Sequence, residues 1–283
     1  MLLCALLGVC LSCGASPIAL QDDLGRRLEL KSPAQRIVTL APFLTELVFA
    51  AGAGDQVVGV SAYSDYPPRV RNLPVVSSAL GVSLEPLAAL KPDLVLAWRD
   101  SFRVEDIPRI EAFGAAVFVA HGRRLDDVPT LLRVIGQATG RDVARIAAAY
   151  EANLAQLRAA YAGKPKIDVF LEIWHRPLTT ISGGHFMNDA LEICGARNVF
   201  QDLPGVAPQV SWEELYRRDP PVIVGTGSAS TEGDFRASCN ERSTLSAVKS
   251  ARLLWVDADT IQRPTTRTPE GITRLCRALD SVR

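Results

Sequence analysis

This chain has no excess of either sign of charge: Lys and Arg together number 31, and so do Asp and Glu. That balance gives no electrostatic footprint for a nucleic-acid partner. Histidine is scarce, with three residues, and none of the three cysteines beyond the apolar start, Cys194, Cys239 and Cys276, stands in a CxxC pair. Zinc-ribbon and thioredoxin-type chemistry therefore have no motif to rest on. GxSxG, HExxH and a Walker-type phosphate loop are absent as well, which removes the common hydrolase, metalloprotease and nucleotide-binding signatures. Long apolar runs are lacking except at the start, where MLLCALLGVCLSCGAS has about the length of a signal-peptide core and is short for a membrane span. No Lys or Arg precedes Cys13, so the usual basic n-region is missing. Residues 1–19 are nevertheless expected to be an export leader, processed near Ala15 or lipidated at Cys13.

What is present is an apolar, Ala- and Leu-rich body, 48 % hydrophobic and 22 % charged, sufficient for one large domain or two lobes. A polar stretch with Asp22, Asp23 and Arg26 precedes IVTLA, a β-type run opening at Ile37. TELVFAAG then reads as a helix, with Thr45 as its cap and Glu46 in its first turn. Strands at Val57 to Val60, LVLAW and AVFVA alternate with helices at SLEPLAAL, Ile107 to Phe113 and Leu125 to Thr139. The segment DVARIAAAYEANLAQLRAAY carries Val143, Ile146, Ala147, Tyr150, Leu154, Leu157 and Tyr161 on one stripe, and some twenty residues rise about 30 Å. The turn Ala162-Gly163-Lys164-Pro165 stops it. A second set follows, with strands at Ile167 to Ile173, Val222 to Val224 and Leu253 to Val256, and helices at Met187 to Cys194, Trp212 to Arg218 and Pro269 to Leu279. The pattern predicts two α/β lobes with mainly parallel sheets, spanning 34–140 and 164–283, joined by a single long helix at 141–163, with a ligand cleft between them.

In open α/β sheets ligands sit beyond the carboxyl ends of strands. Those ends deliver Ala41-Pro42, Ser61 to Tyr66, Trp98-Arg99 and His121-Gly122 in the first lobe. In the second they deliver Trp174-His175-Arg176, Gly225 to Ser228, and Asp257 to Arg263. Aromatics and single hydrogen-bonding groups recur there without a cluster of like charge, the lining expected for a large, partly apolar, neutral ligand. GTGSAS lacks the third glycine of a dinucleotide loop and reads as a turn or binding loop. His121 and His175 both follow strand ends, so a zinc-dependent α/β enzyme is the alternative from a different class; exposed loop histidines are the commoner case. The expectation is a chain without catalytic residues or a metal site. Of the body cysteines Cys194, Cys239 and Cys276, one pair could form in an oxidising compartment, or all three could be isolated buried thiols.

VVGVSAYSDYPP, LEPLAALKPDLVLAWR, LEICGARNVF and PQVSWEEL closely resemble the periplasmic cobalamin-binding proteins of bacterial ABC importers. These belong to the helical-backbone class (class III) of substrate-binding proteins, which also carries haem and ferric siderophores. The likeness runs from about Arg36 to Leu279. It implies an exported, periplasmic, monomeric carrier that captures a corrinoid as cargo rather than as a cofactor and delivers it to the permease; haem or a ferric siderophore in the same fold is the alternative. Position by position, Tyr63 and Trp98 match cleft aromatics, with Arg99 and Trp174 as further candidates for the lining, and Asp259 and Arg263 match polar groups on the opposite lobe. Glu85 and Glu213 match the two glutamates, one per lobe, that dock on the permease. Cys194 and Cys276 match the family's cysteine pair. Two further cleft tryptophans of the cobalamin proteins fall at Ala79 and Ala207, and Trp174 is a candidate to replace some of their stacking surface.

Overall fold

The computed structural model describes residues 17–283. The proposed leader lies outside the described residues, except that Ile18 and Ala19 already belong to the first strand.

The first lobe is built on a six-stranded sheet. Before it comes a hairpin of β1 (Ile18–Gln21) and β2 (Arg27–Leu30). The sheet itself holds β3 (Ile37–Thr39), β4 (Val57–Ser61), β5 (Val75–Ser78), β6 (Gly81–Val82), β7 (Leu94–Trp98) and β8 (Ala116–Ala120), in the order β6-β5-β4-β3-β7-β8. All its pairings are parallel except β5 with β6. Its helices are α1 (Pro42–Ala50), α2 (Leu84–Ala89), α3 (Ile107–Glu111) and α4 (Asp127–Thr139). LVLAW carries no polar alternation because β7 lies between two covered faces, with Leu94 to Ala97 all buried.

After α4, Gly140 adopts a φ of 70° and ends the helix in the left-handed conformation that glycine tolerates best. The chain then enters α5 (Ala144–Tyr161), whose 18 residues span about 27 Å at 1.5 Å per residue. This helix packs against α4 on one side of the molecule and against α6 (Met187–Ile193) and α11 (Thr268–Asp280) on the other.

The second sheet takes β9 (Ile167–Glu172), β10 (Ala196–Asn198), β11 (Val222–Gly227) and β12 (Leu253–Asp257), all parallel, in the order β10-β9-β11-β12. Helices α7 (Trp212–Arg218), α8 (Glu232–Asn240), α9 (Ser246–Lys249) and α10 (Ala258–Ile261) complete it. One apolar core runs without a break from Leu20 through Leu96, Leu154 and Leu171 to Leu279, and so bridges both sheets. Separate clusters around Val95 and Phe170 cover the outer faces.

Three readings of the sequence need correction. The polar stretch at Asp22, Asp23 and Arg26 is the turn of a structured hairpin. Asp22 is buried, its carboxylate accepts from the backbone N–H groups of Leu24 and Arg26, and it pairs with the Arg26 guanidinium at 2.8 Å. Leu20, Leu28 and Leu30 enter the core, so the packed body begins before residue 34. Thr45 does not cap α1, which starts at Pro42. It is buried inside the helix, where its hydroxyl meets those of Thr39 and Ser64. The cysteine pair that the resemblance implied needs no correction: Cys194 and Cys276 form a disulfide between the end of α6 and the middle of α11, and Cys239 is free and buried.

Candidate functional site

Each sheet has one place where successive connections leave in opposite directions, and crevices form beyond the strand ends there. In the first sheet the chain runs from β3 to β4 and β5 on one side and later to β7 and β8 on the other. That break sits between Pro42, just after β3, and Trp98, the last residue of β7. In the second sheet it lies between β9 and β11. Gln262 spans it, its amide donating to the Ile173 carbonyl at 3.1 Å and to the Thr226 hydroxyl at 2.6 Å. The two crevices face one another.

Trp98 stands where three voids meet. One, of about 200 Å³, lies between the lobes and is lined by Phe43, Gly122, His185, Asp259 and Arg263 among others. A second, of about 330 Å³, extends into the first lobe past Tyr63, Ser77, Ala79 and Arg103. A third, of about 550 Å³, reaches the second lobe at Ile173, Val206 and Ala207. The Trp98 ring is held on two sides. Its Nε1 donates to the His121 carbonyl at 2.8 Å, and its face meets the edge of Phe43 at 5.9 Å between centroids and 88° between planes. Gly122 follows with a φ of 60°, and a Cβ there would come within 3.2 Å of Phe43. Ala79 borders the second void and Ala207 the third.

Tyr63, at the end of β4, is 81 % exposed and lines the second void. Its φ of 65° lies in the left-handed region, uncommon for a bulky residue. The ring therefore projects from the loop into the cleft mouth with no core contact to hold it.

Arg263 does not stand free in the cleft. Its guanidinium crosses to the first lobe, where Nη1 reaches Glu46 at 2.9 Å and Asp65 at 2.7 Å and Nη2 reaches the Tyr63 carbonyl at 3.2 Å. Asp259 lies 3.5 Å away on its own lobe. Burial works against its charge, and the bonds to Asp65 and Glu46 outweigh it, leaving Arg263 above the usual arginine range. Arg267 binds Glu46 through two nitrogens, at 2.9 and 2.8 Å, and lies 3.8 Å over the Tyr66 ring. Arg123 is paired with Asp100 at 2.6 Å, and Arg103, which borders the second void, is exposed and makes no ion pair among the described residues.

Two candidate residues do not join the cleft. Trp174 is 63 % exposed and lines none of these voids. After β9 the chain folds back in a bridge to Thr179, and the indole N–H donates to the Arg176 carbonyl. Arg99 is outside the linings as well: β7 ends at Trp98, and Arg99 stands in the turn that follows. His175 is engaged by Glu172 at 2.9 Å. His121 lies in the first lobe, and among the described residues no group of three or more His, Cys, Asp or Glu could hold a metal ion.

Four residues lining or bracing the cleft were not singled out in the sequence: Phe43, His185, Glu46, which was read only as a first-turn carboxylate, and Gln262, which fell unremarked within the segment Asp257 to Arg263. His185 lines two of the voids, stacks on Phe186 at 4.8 Å, and accepts the Met187 N–H on Nδ1 at 3.2 Å. Burial draws its imidazole down to about 4, so it is neutral throughout the ordinary pH range. Only a His two residues before α6 hinted at it, and nothing local distinguished that from a surface loop.

Residues 37–260 match the model of a family described as periplasmic binding protein. The chain belongs to that family. Among its relatives, a vitamin B12-binding protein of Vibrio campbellii is 32 % identical over 253 residues, covering 89 % of this chain and 91 % of the relative. One from Pectobacterium carotovorum is 36 % identical over 198 residues, covering 69 % and 72 %. The crystal structure of the periplasmic vitamin B12-binding protein BtuF of Vibrio cholerae superposes with a TM-score of 0.81 at 30 % identity, covering 88 % of this chain and 98 % of that one. The periplasmic haem-binding protein RhuT of Roseiflexus shares the fold at 23 % identity and a TM-score of 0.76. The periplasmic binding proteins thus account for the two lobes and long helix seen here. No helix among the described residues is long and apolar enough to cross a membrane.

Proposed function

We propose that this periplasmic binding protein captures a corrinoid, cobalamin foremost, and delivers it to an ABC importer as an exported carrier rather than an enzyme. The observation that carries the reading is Trp98, a pinned aromatic that borders three voids in and beside the cleft between the lobes. A flat, bulky, largely uncharged ligand suits that space. Tyr63 and Trp98 supply aromatic surface from the first lobe, and Asp259 and Arg263 supply polar contacts from the second. The names of the relatives support the same choice.

Electrostatics weigh against an anionic siderophore, which would require unpaired basic groups. Of the three arginines that line the voids, Arg263 and Arg123 are already matched by carboxylates, which leaves only Arg103 without an ion pair among the described residues. Glu85, in the first turn of α2, and Glu213, in the first turn of α7, are exposed, one on each lobe. In this reading they meet cationic side chains of the permease.

Calorimetric titration of the purified protein with cyanocobalamin, dicyanocobinamide and haem tests the proposal. Saturable heat with both corrinoids is expected. Tight haem binding without heat from either corrinoid would overturn it.

A further inference from the structure

The carboxylate of Glu46 has an unusual set of partners. It sits on α1 of the first lobe with a side chain only 3 % exposed. Among the described residues, every hydrogen bond that it makes goes to the second lobe: one to Arg263 and two to Arg267. A buried carboxylate without a counter-charge is strongly disfavoured. A paired-nitrogen contact from one guanidinium to one carboxylate is also among the stronger and more directional ion pairs. Moving the lobes apart would therefore strip Glu46 of its partners all at once. The same motion would take Arg263 from Asp65 and the Tyr63 carbonyl, and Arg267 from the face of Tyr66.

We infer that Glu46 is the positioning residue of the cleft: by holding Arg263 and Arg267 across the lobe boundary it sets the aperture and fixes the guanidinium that faces the ligand. Asp65 and the Tyr63 carbonyl complete the seat, so the loop after β4 is braced by the opposite lobe. The inference rests on the proposal that this cleft is the ligand site, but the aperture itself is independent of what fills it. A cleft held at its bound width before the ligand arrives loses less ordering freedom on binding. Its failure when Glu46 is changed is expected in the dissociation rate, because mutants of one site vary more in dissociation than in association.

The test uses the full exported chain with Glu46→Gln, which keeps the shape and removes the charge. Glu270→Gln, which breaks an exposed pair with Arg274 on α11, serves as the control for loss of an ordinary ion pair. Spin labels at Arg71→Cys in the first lobe and Lys249→Cys in the second report the inter-lobe distance by pulsed dipolar spectroscopy. Ligand-free Glu46→Gln should show a longer and broader distance distribution than the parent, and Glu270→Gln should not. Cyanocobalamin should dissociate at least about tenfold faster from Glu46→Gln with association changed less than about threefold, as for changes that act mainly on residence.

An unchanged distance distribution with unchanged dissociation in Glu46→Gln would overturn the inference. If that variant does not fold, Arg267→Lys keeps a positive charge while losing the paired contact, and the same two readouts decide. If the parent binds no corrinoid, the ligand proposal fails and the distance measurement alone judges Glu46.

Discussion

The Trp98 indole N–H donates to the His121 carbonyl at 2.8 Å, which joins the end of β7 to the end of β8 at the point where the cleft begins. The ring's orientation is thus fixed by a backbone atom and by Phe43, before any ligand is present. Trp98→Phe keeps an aromatic face but loses the tether, and should weaken corrinoid binding about tenfold, the worth of roughly one hydrogen bond. Trp98→Ala should cost about 100-fold, as expected for a large apolar side chain covered by the ligand. Calorimetry on both variants checks the order.

Tyr63 pays in backbone strain for its exposed position. Glycine at 63 relieves the left-handed backbone but adds freedom to the unfolded chain, and these opposing effects are each of order 1 kcal/mol. Tyr63→Gly should therefore shift stability by less than about 1 kcal/mol while corrinoid affinity falls about tenfold, in the range for loss of a buried aromatic contact. Thermal melts and titration on the same sample separate the two.

The Cys194–Cys276 bond closes a loop of 82 residues. On the chain-entropy model a loop of that size contributes about 4 kcal/mol. The double variant Cys194→Ala, Cys276→Ala should lose about that much stability in denaturant melts. Residues 17–283 should show a single reactive thiol after unfolding without reductant, since Cys239 is free.

Acid should weaken the fold through His185. Its folded value is near 4 because burial disfavours the charged imidazole, whereas an unfolded histidine titrates near 6.5. Below about 6.5 the unfolded chain takes up a proton that the folded chain refuses, so stability is complete above that pH and declines toward pH 4. The decline attributable to this residue is about 3 kcal/mol. His185→Gln should flatten the profile between pH 6.5 and 4, measured by denaturant melts at each pH.

Glu85→Ala with Glu213→Ala should leave corrinoid affinity within about twofold, since both side chains are exposed on helix starts away from the voids. Uptake by cells carrying the importer should be lost. A fall in affinity would mean that these residues act in binding instead of docking.

Much of this architecture could be read because the relevant signals are local. LVLAW and AVFVA are apolar runs between turn residues, and the strand-end rule delivered the segments Ser61 to Tyr66 and Trp98-Arg99, within which the resemblance marked Tyr63 and Trp98. The short strands β5, β6 and β10 escaped because VVSS, GV and ARN carry too few residues for a period to show. The same rule misplaced Trp174, since nothing in EIWHRP announces a chain that folds back on Thr179. Glu46 was given a helix-dipole role because its partners lie 217 and 221 residues away. Contacts between lobes depend on how the lobes meet, and no short window of sequence contains that information.

The β1–β2 hairpin closes the open side of the first sheet. Strand β8 is the outermost strand there, and its Val119 and Val117 carbonyls accept from the Asp23 backbone N–H at 3.0 Å and the Arg26 guanidinium at 2.6 Å. An uncovered strand edge is a template for pairing with another chain. Asp23 also takes the His121 N–H at 2.6 Å, at the strand end that tethers Trp98. Trimming the chain back to residue 31 would thus invite self-association through β8 and loosen a wall of the cleft in the same cut.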